Sequence, residues 1–142
     1  MTTVEQLLEH KGRDVWTIDP DATVLDAIRE FVNRNVGSLV VMEDGKLIGI
    51  FTERQYARNV YLQGKASPTT TVREVMETDV AYVEPERTVP ECMAIMTEKR
   101  YRHLPVMVGD KVVGMVSIGD LVESTISDQK FTIEQLERYI RS

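Results

Sequence analysis

The chain has 142 residues, 23 acidic against 17 basic side chains, a net charge of −6 and a pI near 5.0. That length suits one compact domain or two half-sized units that must share a core, and the acidity argues against nucleic acid or an anionic membrane as partner, both of which need a basic footprint. One cysteine, Cys92, excludes an internal disulfide and a cysteine-based metal cluster, and no stretch is apolar for long enough to span a bilayer, so the cytoplasm is the expected compartment.

In chain order, Thr3 to Leu8 is a short helical lead-in with Val4, Leu7 and Leu8 on one face, expected to pack as a flap on the core. Trp16 to Ile18 is extended and is stopped by Asp19-Pro20. Thr23 caps a helix with Val24, Ala27, Ile28, Phe31 and Val32 at helical spacing, ended by Asn35 to Gly37. Ser38 to Met42 is apolar, β-branched and too short for a helix, hence a strand covered on both faces, and Asp44-Gly45 turns it into a second strand, Lys46 to Phe51. Thr52 and Gln55 form a capping box for a helix running to about Leu62, and Gln63 to Thr71 is a linker.

The same order then recurs. A shift of 65 residues lays Val15 to Tyr56 over Val80 to Leu121 without a gap, bringing Pro20 onto Pro85, Thr23 onto Thr88, Leu39 onto Leu104, Val41 onto Val106 and Gly49 onto Gly114. Thr2 to Glu9 likewise echoes Thr70 to Glu77, offset by 68. Such a period means two copies of one supersecondary unit. Each copy reads β-α-β-β-α, and a lone three-stranded sheet leaves one face wet, so the two copies are expected to pack against each other in an α/β (α+β) fold. We divide the chain into repeat 1 with its lead-in and linker at 1–69, repeat 2 at 70–127 and a tail at 128–142. The tail carries a helix capped by Thr132 with Gln135 three residues on. Its stripe of Ile133, Leu136 and Ile140 needs a covering surface, on its own chain or on another subunit.

The second copy ends in Val112 to Leu121, a strand running into a helix whose first turn holds Ser117 and Asp120. Unpaired N–H groups at a helix start favour phosphate, and an acid on the first turn can accept both hydrogens of a ribose diol. Ser-x-x-Asp is equally a capping pair that only starts a helix. Lys99, Arg100, Arg102 and His103 are the densest basic cluster. The first two complement a helix end, whereas Arg102 and His103 stand past it, at the next strand's entrance. In the first copy Gly37 and Ser38 replace Arg102 and His103, and neutral Gln55 replaces Asp120.

These residues resemble the CBS-domain pair, or Bateman module, over about Thr3 to Ser127. The marks are the turns Gly49-Ile50-Phe51-Thr52-Glu53-Arg54-Gln55 and Gly114-Met115-Val116-Ser117-Ile118-Gly119-Asp120, the Leu104-Pro105-Val106 strand start, and the Thr23-Val24 and Thr88-Val89 helix openings. The resemblance implies a regulatory module whose cleft binds an adenosine-containing ligand such as AMP, ADP, ATP, NAD or S-adenosylmethionine, with no metal required. It implies further that Asp120 holds the ribose hydroxyls, that Ser117 and Ile118 at the helix start meet phosphate, and that Tyr82 and Val83 line the adenine slot, with Arg100, Arg102 and His103 beside them. A weaker second site would use Ser38, Thr52, Arg54 and Gln55. A homodimer is expected, and an effector protein as a further partner. The alternative is a structural dimerisation module with vestigial clefts. An enzyme is disfavoured, because Cys92 lies on an apolar helix face with Met93 and Met96, and His10 and His103 sit far apart with no metal or nucleophile spacing.

Overall fold

In a computed structural model, which describes residues 1–141, the chain forms two compact units. One contains Asp14–Ala81 with Gly109–Val112; the other contains Met1–Arg13, Tyr82–Val108 and the chain from Val113 on. The first holds β1 (Thr17–Ile18), α2 (Val24–Arg34), β2 (Ser38–Glu43), β3 (Lys46–Thr52), α3 (Glu53–Gln55) with a π-helical continuation over Tyr56–Tyr61, and α4 (Val72–Val75). The second holds α1 (Val4–Lys11), α5 (Val89–Lys99), β4 (His103–Val108), β5 (Lys111–Ser117) from Val113 on, and α6 (Ile118–Arg141).

β1, β2 and β3 form one sheet in that order, β1 parallel and β3 antiparallel to β2. The β2–β3 turn places Asp44 and Gly45 at φ 51° and 77°, the doubly left-handed geometry of a two-residue hairpin, which a β-branched side chain resists. The core of this unit gathers Ile18, Val24, Ala27, Phe31, Leu39, Val41 and Phe51, with the Phe31 and Phe51 rings stacked at 5.8 Å. Ile28 packs against it, whereas Val32 is 74% exposed. The helix after Thr52 opens with the expected capping box but soon widens to i→i+5 bonds, Leu62 N–H to Ala57 O and Lys65 N–H to Val60 O, both 3.0 Å. Val60 is buried there and Asn59 donates to Val75 O at 3.1 Å.

Three sequence expectations change. First, the second copy has only the two-stranded β4–β5 sheet, because the segment beside Tyr82 reaches β4 through one parallel bridge, Val83 to Val106. Second, the tail is no separate helix. α6 runs unbroken from Ile118 to Arg141, and Thr132, read as an N-cap, bonds backward to Asp128 O at 3.0 Å. Nothing in Glu123 to Lys130 breaks a helix, so two adjoining helical patterns fused.

The third concerns the lead-ins. α1, grouped by sequence with the first copy, docks on the second: Val4 N–H donates to Arg87 O (2.8 Å), Glu5 N–H to Pro85 O (2.9 Å), and Val89 N–H to Thr2 O (2.9 Å). The second lead-in mirrors it on the first copy, with Val72 N–H to Ala22 O (2.9 Å), Arg73 N–H to Pro20 O (2.8 Å) and Val24 N–H to Thr70 O (2.8 Å). Val72 and Val75 complete the core around Phe51. Each lead-in is admitted by a glycine on the sheet it covers. A Cβ on Gly114 would stand 2.7 Å from Leu8 Cδ1, and one on Gly49 would stand 2.7 Å from Met76 Sδ and 2.9 Å from Glu77 O.

Candidate functional site

The turn from β5 into α6 positions Ser117 and Asp120 as a reciprocal pair. Ser117 N–H donates to Asp120 Oδ2 at 2.8 Å, and Asp120 N–H donates to Ser117 Oγ at 3.2 Å. Ile118 N–H donates to Arg102 O at 2.9 Å. Three of the N–H groups that could meet an anion here already have acceptors inside the protein, so the helix opening itself is a poorer phosphate cradle than the sequence suggested.

The structure supplies a cation instead, from a residue the sequence reading passed over. Lys11, in the last turn of α1, sends its ammonium to Asp120 Oδ2 at 2.6 Å and to Met115 O at 2.7 Å. Its side chain is one-third exposed and that of Asp120 less than a quarter, so the pair is partly shielded and still reachable from solvent. No local signal marked Lys11, which lies at a helix C-terminus where a lysine is expected for the dipole alone. Only the docking of α1 on the second copy brings it to Asp120.

His103 opens β4 beside this pair and is half-buried. Burial pushes its imidazole below the usual histidine range; Asp120 pulls it back up, and the Lys11 and Arg102 charges push it further down. The neutral form is therefore favoured in the folded chain, and the unfolded chain binds the extra proton as pH falls through about 6.5. Stability contributed by this group is present at neutral pH and declines below that point. His103→Gln is expected to flatten that decline; urea melts of both proteins at about pH 7.5 and about 5.5 check this, and equal losses on acidification would refute it.

Lys11, Arg102, His103, Ser117, Ile118 and Asp120 thus come together at one end of the β4–β5 hairpin. Val83 is buried beside β4, its N–H on Pro105 O and its carbonyl accepting from Met107 N–H, while Tyr82 next to it is 55% exposed. Arg100 stands apart in role. It ends α5 as a left-handed C-cap at φ 59°.

In the other unit the matching turn is built alike. Thr52 N–H donates to Gln55 Oε1 at 3.2 Å, Gln55 N–H to Thr52 Oγ1 at 3.4 Å, and Glu53 N–H to Gly37 O at 3.2 Å; the Thr52 hydroxyl also meets Gln55 Oε1. Ser38 is buried at the start of β2, and Arg54 projects from the first turn of α3. The chemistry differs. By the offset of 65 the counterpart of Asp120 is Gln55, so the carboxylate that Lys11 meets in one turn is a neutral amide in the other.

Cys92 is buried in α5, and burial pushes its thiol up to about 11, which leaves it protonated and unreactive at neutral pH. Among the described residues no helix is long and apolar enough to cross a membrane, and no group of three or more His, Cys, Asp or Glu side chains is placed to hold a metal ion.

The CBS domain family model matches residues 4–61 and 72–126. The chain is 37% identical over 150 residues to a mitochondrial CBS domain-containing protein of Arabidopsis thaliana, covering 99% of this chain and 72% of that protein. It superposes with a TM-score of 0.87 on a CBS-domain protein of Burkholderia ambifaria, 48% identical over 90% of this chain and 96% of that one. The fold is also that of a CBS domain pair solved with 5′-methylthioadenosine and S-adenosyl-L-methionine, at 22% identity and a TM-score of 0.80, covering 90% of this chain and 98% of that one.

Proposed function

The chain belongs to the CBS domain family as a tandem pair, and on that premise we propose that it is a regulatory module binding an adenosine-containing ligand of the AMP, ADP, ATP, NAD or S-adenosylmethionine class. CBS-domain pairs are generally regulatory and ligand-binding. The observation that carries the finer reading is the meeting of Asp120, Lys11, Arg102 and His103 at one hairpin end, an acceptor for a ribose diol beside cations for phosphate. Asp120 is the ribose acceptor and Lys11 the nearest phosphate partner. Tyr82, exposed and backed by buried Val83, offers an edge for adenine. The set Ser38, Thr52, Arg54 and Gln55 is a weaker site, because an amide cannot take two hydroxyls with a carboxylate's strength.

The module acts as a regulator, and its signal passes through an effector protein or through self-association. Calorimetry against AMP, ADP, ATP, NAD and S-adenosylmethionine is expected to show one strong site per chain for at least one of them. At about 100 times its dissociation constant that ligand adds roughly 2.7 kcal/mol of stability, a rise of several degrees in Tm. Heat and Tm unchanged by all five would favour the second reading, a structural dimerisation module. That reading draws on the Ser117–Asp120 capping pair, whose hydrogen bonds are complete without a ligand.

We also propose a homodimer. α2 and α5 carry apolar side chains beyond their buried stripes, with Val32 exposed and Ile28, Met93 and Ile95 only half-buried or partly so. Light scattering after size exclusion is expected to give twice the chain mass; a concentration-independent 16.2 kDa would refute it.

A further inference from the structure

We infer that the exposed face of α6 is the seam of a parallel two-stranded coiled coil with a second copy of this chain. Val122, Ile126, Gln129, Ile133, Leu136 and Ile140 follow one another at alternating steps of four and three residues. That is the heptad spacing of paired a and d positions, with isoleucine at every a. The five apolar members are 41%, 54%, 55%, 57% and 79% exposed, a row about 27 Å long that is open to solvent along its length. A groove of about 390 Å³ runs beside the first half of the row, where Gln129 and Ile133 face Val89 and Pro90 of α5, so a second helix lying along α6 would fill it too.

The charges decide what lies on this face and in which direction. The flanking e positions are Glu123, Lys130 and Glu137; the g positions are Thr125, Thr132 and Tyr139. In a parallel pair each e meets a g of the other copy, so no like charges meet. In the full antiparallel pair e meets e, setting Glu123 against Glu137 and Lys130 against itself, and Gln129 against Ile133. An antiparallel slip of one heptad restores opposite charges, but it strips two apolar positions of partners at one end of each helix and still sets Gln129 on an isoleucine. Only the parallel register places Gln129 opposite Gln129, where each amide both donates and accepts, so the one polar layer is satisfied.

The seam does not depend on the nucleotide reading. Its test uses cysteine crosslinking of the full chain, with the buried native Cys92 as the uncrosslinked background. Gln129→Cys, and separately Ile133→Cys, are expected to form disulfide-linked dimers in a glutathione buffer. Each yield should be at least about tenfold above that of the outward control Ser127→Cys, because a formed seam holds the sulfurs at millimolar effective concentration. Yields no higher than the control for both would overturn the seam. A mixture of Gln129→Cys and Ile133→Cys chains that links only one to the other would overturn the parallel direction.

Discussion

Replacing Leu8 by alanine is expected to destabilise the protein by about 2–5 kcal/mol, the usual loss for a fully buried leucine that leaves a cavity. Leu8 is 0% exposed and caps Gly114, so its loss opens a void directly over β5. For a chain of this size that is a fall in Tm on the order of 5–15 °C. The origin of the effect is testable by a cycle. Gly114→Ala alone must push Leu8 aside, since the new methyl would lie 2.7 Å from its Cδ1, whereas Leu8→Ala with Gly114→Ala refills part of the void. The double variant is therefore expected to be more stable than the sum of the singles by about 1 kcal/mol or more. Strict additivity in denaturant melts would mean that α1 is not seated on Gly114.

The second large effect concerns binding. Asp120→Ala is expected to weaken the strong nucleotide site by about 1.5 to 3 kcal/mol, roughly 10- to 150-fold, the range for hydrogen bonds to a charged group. Asp120→Asn should lose less, because it keeps an acceptor. Asp120 and Ser117 cap the helix start together, so part of any loss comes from loosening it; Ser117→Ala controls for that by removing the bond from Asp120 N–H to Ser117 Oγ while leaving the carboxylate. Equal losses in Ser117→Ala and Asp120→Ala by calorimetry would reduce Asp120 to a cap. Lys11 adds a sign to the pattern. Its ammonium occupies Asp120 Oδ2 before any ribose arrives, yet it also offers charge to a phosphate. Lys11→Met is accordingly expected to tighten adenosine and weaken AMP, and movement of both in the same direction would refute the paired role.

Much of this architecture was legible in the residues. Thr23, Thr52, Thr71 and Thr88 each open a helix with a capping box, Asp44-Gly45 makes the hairpin, and the 65-residue offset survives as matched hydrogen bonds such as Glu53 N–H to Gly37 O and Ile118 N–H to Arg102 O. These are local features, set by side chains within three or four positions of the backbone they serve. Ser117 and Asp120 were legible for the same reason, whereas of the α6 row only Ile133, Leu136 and Ile140 were, because the tail read as a separate helix.

The partner of each lead-in was not. Val4, Leu7 and Leu8 form an apolar stripe that either sheet could receive, because both carry a glycine at the matching place, Gly49 in β3 and Gly114 in β5. Which sheet takes the stripe depends on where the chain can reach after Gly12, and only the folded backbone determines that. The choice moves Lys11 onto Asp120, across 109 residues of sequence. Sequence alone thus determined two similar turns; tertiary structure alone decided that one of them holds an ion pair, because electrostatic partners are set by distance in space and leave no periodicity in the chain.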